Sequence, residues 1–194
     1  KRPEKIDYVI ANCAECEPYL TSDYRRMIEE ADKLIEGLKV SLALFPNAKG
    51  VLAVEDNKED CIALLKEKTV DEQRIVVTRL KTKYPQGGEK SIVKAVLKKE
   101  IPAGKLPADI GCVISNIGTM CAISEAFREG KPLIDRGLTL SGGALECPKN
   151  VKVPKEIKGS SLIKVDDNIT TDHIMPSNAK LLPFRSNVPY LADY

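Results

Sequence analysis

The chain has little excess charge of either sign: 30 Lys and Arg stand against 28 Asp and Glu, a formal net charge of +2 in 194 residues. That balance produces no field able to draw nucleic acid or an anionic membrane, so both drop out as partners of the chain as a whole. It also lacks any uncharged apolar window of about 18 residues, so no direct membrane span is expected. Its first residues lack the apolar centre of a signal peptide. Internal repeats and low-complexity tracts are absent too. Tryptophan is missing altogether and histidine occurs once, as His173. Thr171-Asp-His173 sets an acid beside that imidazole, yet no nucleophile completes a triad, and a capped turn explains the same residues.

Six cysteines are present in a chain too long to need disulfides, and four fall inside apolar or helical patterns, which reads as a reducing, cytoplasmic compartment. Cys13-Ala-Glu-Cys16 has the spacing of half a zinc or iron–sulfur site or of a redox dithiol, but a second pair at similar spacing is absent. Metal ligation and incidental thiols both remain open for it. Glu15 and Glu17 crowd the same stretch. They can accept hydrogen bonds from sugar hydroxyls or pair with Arg25 or Arg26 at a surface.

What the sequence does contain is an alternation. Residues 6–11 form an apolar run, and Met27, Ala31, Leu34, Ile35, Leu38 and Leu42 follow at spacings that make one helix face. Residues 51–54 repeat the strand and residues 61–65 the helix. Residues 74–78 predict a third strand, Ile92, Val93, Val96 and Leu97 another helix, and residues 109–114 a fourth strand running into a helix that ends near Arg128. This rhythm predicts an α/β fold, Rossmann-like, with a mostly parallel sheet covered by helices on both faces. After Arg136 a strand is expected to enter the glycine turn at residues 142–143. Residues 148–154 read as a linker, dividing a domain of residues 1–153 from a small C-terminal appendage of residues 154–194.

Ligands of such sheets sit beyond the carboxyl ends of the strands. That rule places four segments on one rim: residues 12–18, 55–57, 84–89 and 115–119. Gly87-Gly-Glu89 can bring backbone amides close to a phosphate or simply turn the chain. Asn116-Ile-Gly-Thr119 suits a helix cap as well as a flavin contact.

Six ordered stretches then match a known family: Asn12-Cys-Ala-Glu-Cys-Glu-Pro-Tyr-Leu-Thr21, Leu34-Ile-Glu-Gly37, Val54-Glu-Asp-Asn-Lys58, Lys83-Tyr-Pro-Gln-Gly-Gly-Glu-Lys90, Ile101-Pro-Ala-Gly-Lys-Leu-Pro-Ala-Asp109 and Ser115-Asn-Ile-Gly-Thr119. Together they resemble the C subunit of the Rnf-type ferredoxin:NAD oxidoreductase, itself similar to the flavin-bearing subunit of respiratory complex I. The resemblance implies FMN and NAD(H) as cofactors, and a pocket lined by Asn12, Glu15, Glu17, Tyr84, Gly88, Glu89, Asn116 and Thr119. It implies no metal site here, since the family's 4Fe-4S clusters are carried by cysteine-rich repeats outside these residues, as is its glycine-rich phosphate loop. The partners implied are other subunits of a membrane-bound electron-transfer complex and, indirectly, ferredoxin. Localisation would then be cytoplasmic and peripheral, at the inner face of the cell membrane through those partners.

The tail is similar to something else. Pro154-Lys-Glu-Ile-Lys-Gly159 with Val165-Asp-Asp-Asn-Ile-Thr-Thr-Asp-His-Ile-Met-Pro-Ser-Asn-Ala-Lys-Leu-Leu-Pro-Phe-Arg-Ser-Asn187 resembles the start of the swivel domain of aconitase. By that likeness Thr171, Asp172 and His173 match an active-site turn, and Arg185 an arginine gripping a substrate carboxylate. The sequence therefore carries three readings: an electron-transfer domain moving electrons between NAD(H) and a flavin toward iron–sulfur centres, a fragment of an aconitase-like hydro-lyase, and a docking module without catalysis.

Overall fold

Alternate side chains of the first strand, β1 (Tyr8–Cys13), divide between two buried layers: Val9, Ala11 and Cys13 enter one, and Ile10 enters the other. β2 (Lys49–Glu55) does the same, with Leu52 and Val54 on the first side and Val51 and Ala53 on the second. Strands buried on both faces are what a helix-covered parallel sheet requires. The computed structural model describes residues 5–143 and 145–154, and those up to Val153 belong to one compact unit, Lys1–Val153.

β3 (Ile75–Leu80) and β4 (Cys112–Asn116) complete a four-stranded sheet in the order β3-β2-β1-β4, every pairing parallel. α1 (Ser22–Glu29), α2 (Ala31–Ala43), α3 (Glu59–Lys68) and α5 (Ile117–Glu129) give their apolar residues to one layer, around Met27, Leu34, Leu38, Leu65 and Met120. α4 (Glu89–Leu97) covers the other face through Ile92 and Val93. The α/β sheet with helices on both faces is thus the observed architecture. Burying this many Leu, Ile and Val side chains, at about 1.5–3 kcal/mol each, is the main force holding the layers together.

α2 and α5 pack against each other through Gly37. A Cβ there would lie 1.8 Å from the carbonyl oxygen of Met120, so only hydrogen fits.

Three boundaries differ from the sequence expectation. The single helix face from Met27 to Leu42 is two helices, because Glu30 has a non-helical backbone (φ −120°, ψ 26°) between α1 and α2. Both pieces still bury their apolar residues in one layer, which is why the spacing reads as continuous. The fourth strand starts at Cys112, after a 3-10 turn at Pro107–Ile110. Residues 149–154 are a strand rather than a linker: β5 (Asp135–Leu140) pairs with β6 (Lys149–Pro154) in a separate two-stranded sheet. Prolines at the ends of so short a strand disguise it, since an edge tolerates them. Asn150 ties this ribbon to the residue before α1, donating from Nδ2 to the Thr21 hydroxyl (3.1 Å), and within the ribbon it accepts from the Thr139 hydroxyl (2.7 Å). Among the described residues, no helix is long and apolar enough to cross a membrane.

Candidate functional site

Because all four strands run parallel, their C-terminal ends share one edge, and the four segments expected on a rim are found there. The chain runs outward from β1 to β2 and β3, then returns to place β4 on the other side of β1. The crevice beside such a reversal is where open α/β sheets keep ligands. Asn12 and Asn116, last residues but one and last of their strands, are register partners across it.

On one side, Asn12 binds the loop of residues 84–89 to the sheet. Its Nδ2 donates to the Gly87 carbonyl (2.9 Å), and its Oδ1 accepts from the Ala14 amide (3.1 Å). The Gly87 amide donates to the Cys16 sulfur at 3.3 Å. A Cβ on Gly87 would lie 2.8 Å from the Ala14 carbonyl oxygen, so this close approach needs glycine. Tyr84, joined to Pro85 by a cis peptide bond, is half-buried at the start of the loop. Gly88 ends it as the N-cap of α4, with no side chain capping the helix, and Glu89 is exposed in its first turn.

On the other side, Glu15 reaches the start of α1. Its Oε1 accepts from the Asp23 amide (2.8 Å) and its Oε2 from the Tyr24 amide (3.2 Å). Those amides belong to the first turn of a helix, which leaves its leading N–H groups without intrahelical partners and favours negative charge. An acid at the end of β1 is therefore a helix-start acceptor. Glu15 is buried, and burial raises its pKa although both amides oppose the shift. Asp23 is raised for the same leading reason, despite a hydrogen bond from Asn116 Nδ2 to its Oδ2 (2.8 Å). Asn116 also caps α5, its Oδ1 accepting from the Gly118 amide at 2.7 Å. Thr119 stands one residue further on, in a cleft of about 70 Å³ that Asp23, Arg26 and Asn116 also line.

The expected residues therefore form two groups at one edge of the sheet, and their roles differ. Both polar ends of Asn12 and both oxygens of Glu15 are engaged inside the protein. Glu17, Glu89, Asn116 and Thr119 lie on the rim, all four exposed. Arg25 and Arg26 pair with Glu29 and Glu30 within α1 and at its end, rather than with Glu15 or Glu17. Cys13 is buried in the core, where burial drives its thiol pKa far upward, and among the described residues no three His, Cys, Asp or Glu group as metal ligands. Thr171, Asp172, His173 and Arg185 lie outside the described residues.

Sequence reasoning missed Asp23 and Gln86 and the burial of Glu55. An acid in the first turn of a predicted helix was the available signal for Asp23. Glu55, at the end of β2, is 1% exposed, and its Oε1 has no hydrogen-bond donor, while Oε2 lies 3.4 Å from Lys58 Nζ. The donor set of the rim suits one kind of group. Glu17 and Glu89, exposed on the rim, are acceptors for hydroxyls and amide N–H groups, while Glu15, Asp23 and Glu55 stand behind them, engaged or buried within the protein. The hydroxyl- and amide-bearing parts of a flavin or nicotinamide nucleotide fit such acceptors.

The chain has relatives among known proteins. The C subunit of a proton-translocating ferredoxin:NAD(+) oxidoreductase complex, from Clostridium ljungdahlii, is 45% identical over 150 residues, 77% of this chain and 33% of that protein. The C subunit of a Na(+)-translocating counterpart from Acetobacterium woodii is 41% identical over 160 residues, 82% of this chain and 36% of that one. The chain spans about a third of the length of these relatives. In fold it is similar to an NAD+-reducing NiFe-hydrogenase in the air-oxidized state, with a TM-score of 0.65 at 16% identity over 77% of this chain and 30% of that chain. The family model described as the Nuo51 FMN-binding domain matches residues 1–125, and the chain belongs to that family.

Proposed function

We propose that this domain binds FMN and NAD(H) and works as the electron-entry or electron-exit module in the C subunit of an Rnf-like ferredoxin:NAD oxidoreductase. The observation that carries the reading is the β1–β4 reversal, with the exposed acceptors Glu17 and Glu89 at the strand ends beside it, in a chain whose relatives are named as such subunits. The flavin, when bound, supplies the ability to accept a hydride and release single electrons. The protein's part is positioning. Asn12 fixes the loop of residues 84–89, and Glu15 fixes the start of α1. Tyr84 and Gly88 shape the crevice between them, while Glu17, Glu89, Asn116 and Thr119 supply the polar contacts of the rim. Asp23 holds Asn116 in place through the 2.8 Å bond.

The iron–sulfur centres that continue the electron path are carried elsewhere in the assembly. The module sits at the cytoplasmic face of a membrane through partner subunits, with ferredoxin as the indirect partner.

The test is an absorbance spectrum of the chain after incubation with FMN and desalting, followed by anaerobic NADH. Retained flavin that bleaches on NADH addition, with weaker retention in Asn116→Ala and Glu89→Ala, is the expected result. Flavin lost from the wild type on desalting, or flavin held but not reduced, contradicts the proposal.

A further inference from the structure

The face of the molecule at the β3 edge carries a charge arrangement that the flavin crevice does not use. A groove with a volume of about 620 Å³ runs between the end of β3 and α4. Two series of cations line it: Arg79, Lys81 and Lys83 at every second position, and Lys90, Lys94 and Lys98 at every fourth. The helical series sits on one side of α4 and its C-cap, where like charges at this spacing repel each other. Among the described residues only two acids pair with the six cations, Glu59 with Arg79 and Glu100 with Lys94 (2.6 Å). The groove alone thus holds more positive charge than the +2 of the whole chain. Lys81, Lys83 and Lys90 have no acidic partner among the described residues.

A second observation points to a ligand. Gln86 lines the same groove, is 1% exposed, and its Oε1 has no hydrogen-bond donor. Leaving a buried acceptor unsatisfied is costly unless something arrives to satisfy it.

We infer that this groove docks an acidic segment of a partner protein, whose carboxylates meet the lysines and whose backbone N–H meets Gln86. Lys90 to Lys98 span about 12 Å of helix at 1.5 Å per residue, too long a row for one phosphate and suited to several spaced carboxylates. Among the described residues no aromatic ring lines the groove, so bases have nothing there to stack on, which disfavours a nucleotide or single-stranded nucleic acid. Gln86 directly precedes Gly87, the residue that Asn12 and Cys16 hold at the crevice, so a partner seated here abuts the loop that borders the flavin site. The inference does not rest on flavin binding.

It is tested on the full chain by fluorescence anisotropy with a fluorescein-labelled octaglutamate peptide at about 20 mM and about 200 mM salt. Binding at low salt that weakens about tenfold in K83E/K90E, but stays unchanged in the equally charged control K66E/K105E outside the groove, is the expected result. K83Q/K90Q is expected to lie between wild type and the reversal, and it decides the matter if the reversed variant does not fold. Equal loss in groove and control variants overturns the inference, because net charge alone then explains binding. So does an oligoadenylate of equal charge that binds more tightly than the peptide and is lost in the same groove variants, which assigns the groove to nucleic acid. Full displacement of the peptide by inorganic tripolyphosphate at equal charge overturns it as well, in favour of a small anion.

Discussion

Replacing Gly87 by alanine tests whether the crevice depends on the close approach of two backbones. The new Cβ would lie 2.8 Å from the Ala14 carbonyl oxygen and 3.3 Å from the Cys16 sulfur, the first about 0.6 Å short of ordinary contact. Neither β1 nor the loop can yield freely, because the Gly87 amide and carbonyl are both held, by Cys16 at 3.3 Å and by Asn12 at 2.9 Å. Overpacking of this kind costs about 1–3 kcal/mol, and a displaced loop forfeits a hydrogen bond of about 1 kcal/mol, giving about 2–4 kcal/mol in all. A domain of this size has about 5–15 kcal/mol to lose, so the variant still folds. Gly88→Ala is the control, since its Cβ meets nothing nearer than 3.8 Å. As the N-cap of α4 it forfeits about 1 kcal/mol at most. Urea unfolding followed by circular dichroism reads both, and desalting with FMN reads the crevice: Gly87→Ala loses stability and flavin, and Gly88→Ala keeps most of both. A Gly87→Ala protein within about 0.5 kcal/mol of wild type, or one no less stable than Gly88→Ala, refutes the reasoning.

Two further outcomes follow from the same geometry. Glu15→Ala removes the acceptor of two helix-start amides and is expected to cost about 2 kcal/mol in urea unfolding at neutral pH, with α1 fraying first in hydrogen exchange. Because burial raises the Glu15 pKa above its ordinary 4.5, the folded protein keeps that proton to higher pH than the unfolded chain. Its contribution is therefore most favourable in acid and declines as pH rises from about 4.5 through the folded-state value. Glu15→Gln should flatten that part of the stability profile, and an unchanged slope would count against the assignment. Iodoacetamide at neutral pH is expected to modify exposed Cys147 first and half-buried Cys16 more slowly. Cys13, Cys61, Cys112 and Cys121 should stay unmodified until urea is added, since burial drives the Cys13 thiol far upward, raises Cys61 and Cys112 to about 12 and Cys121 to about 11. Mass spectrometry of digested peptides checks the order, and early labelling of Cys61 or Cys112 would show that the core opens.

Local pattern alone determined a great deal of this protein. Strands buried on both faces, such as residues 51–54, and helices with one apolar side specify a parallel sheet between two helix layers. A parallel sheet in turn puts all strand ends on one edge, so the rim segments at Asn12, Glu55, Tyr84 and Asn116 have to lie together. That inference needs only side-chain period and chain direction.

Tertiary structure decided what each rim residue does. Whether Glu15 faces a ligand or a helix start depends on where α1 lands, and that depends on the break at Glu30, which apolar spacing cannot register because both helices bury the same layer. The tie of Asn150 to Thr21 and the contact of Gly37 with Met120 join residues far apart in the chain, where no local period carries information. The basic groove has the same origin. Its two lysine series are plain in the sequence as alternations of two and four, but only the return of α4 beside the end of β3 brings them to face one cavity.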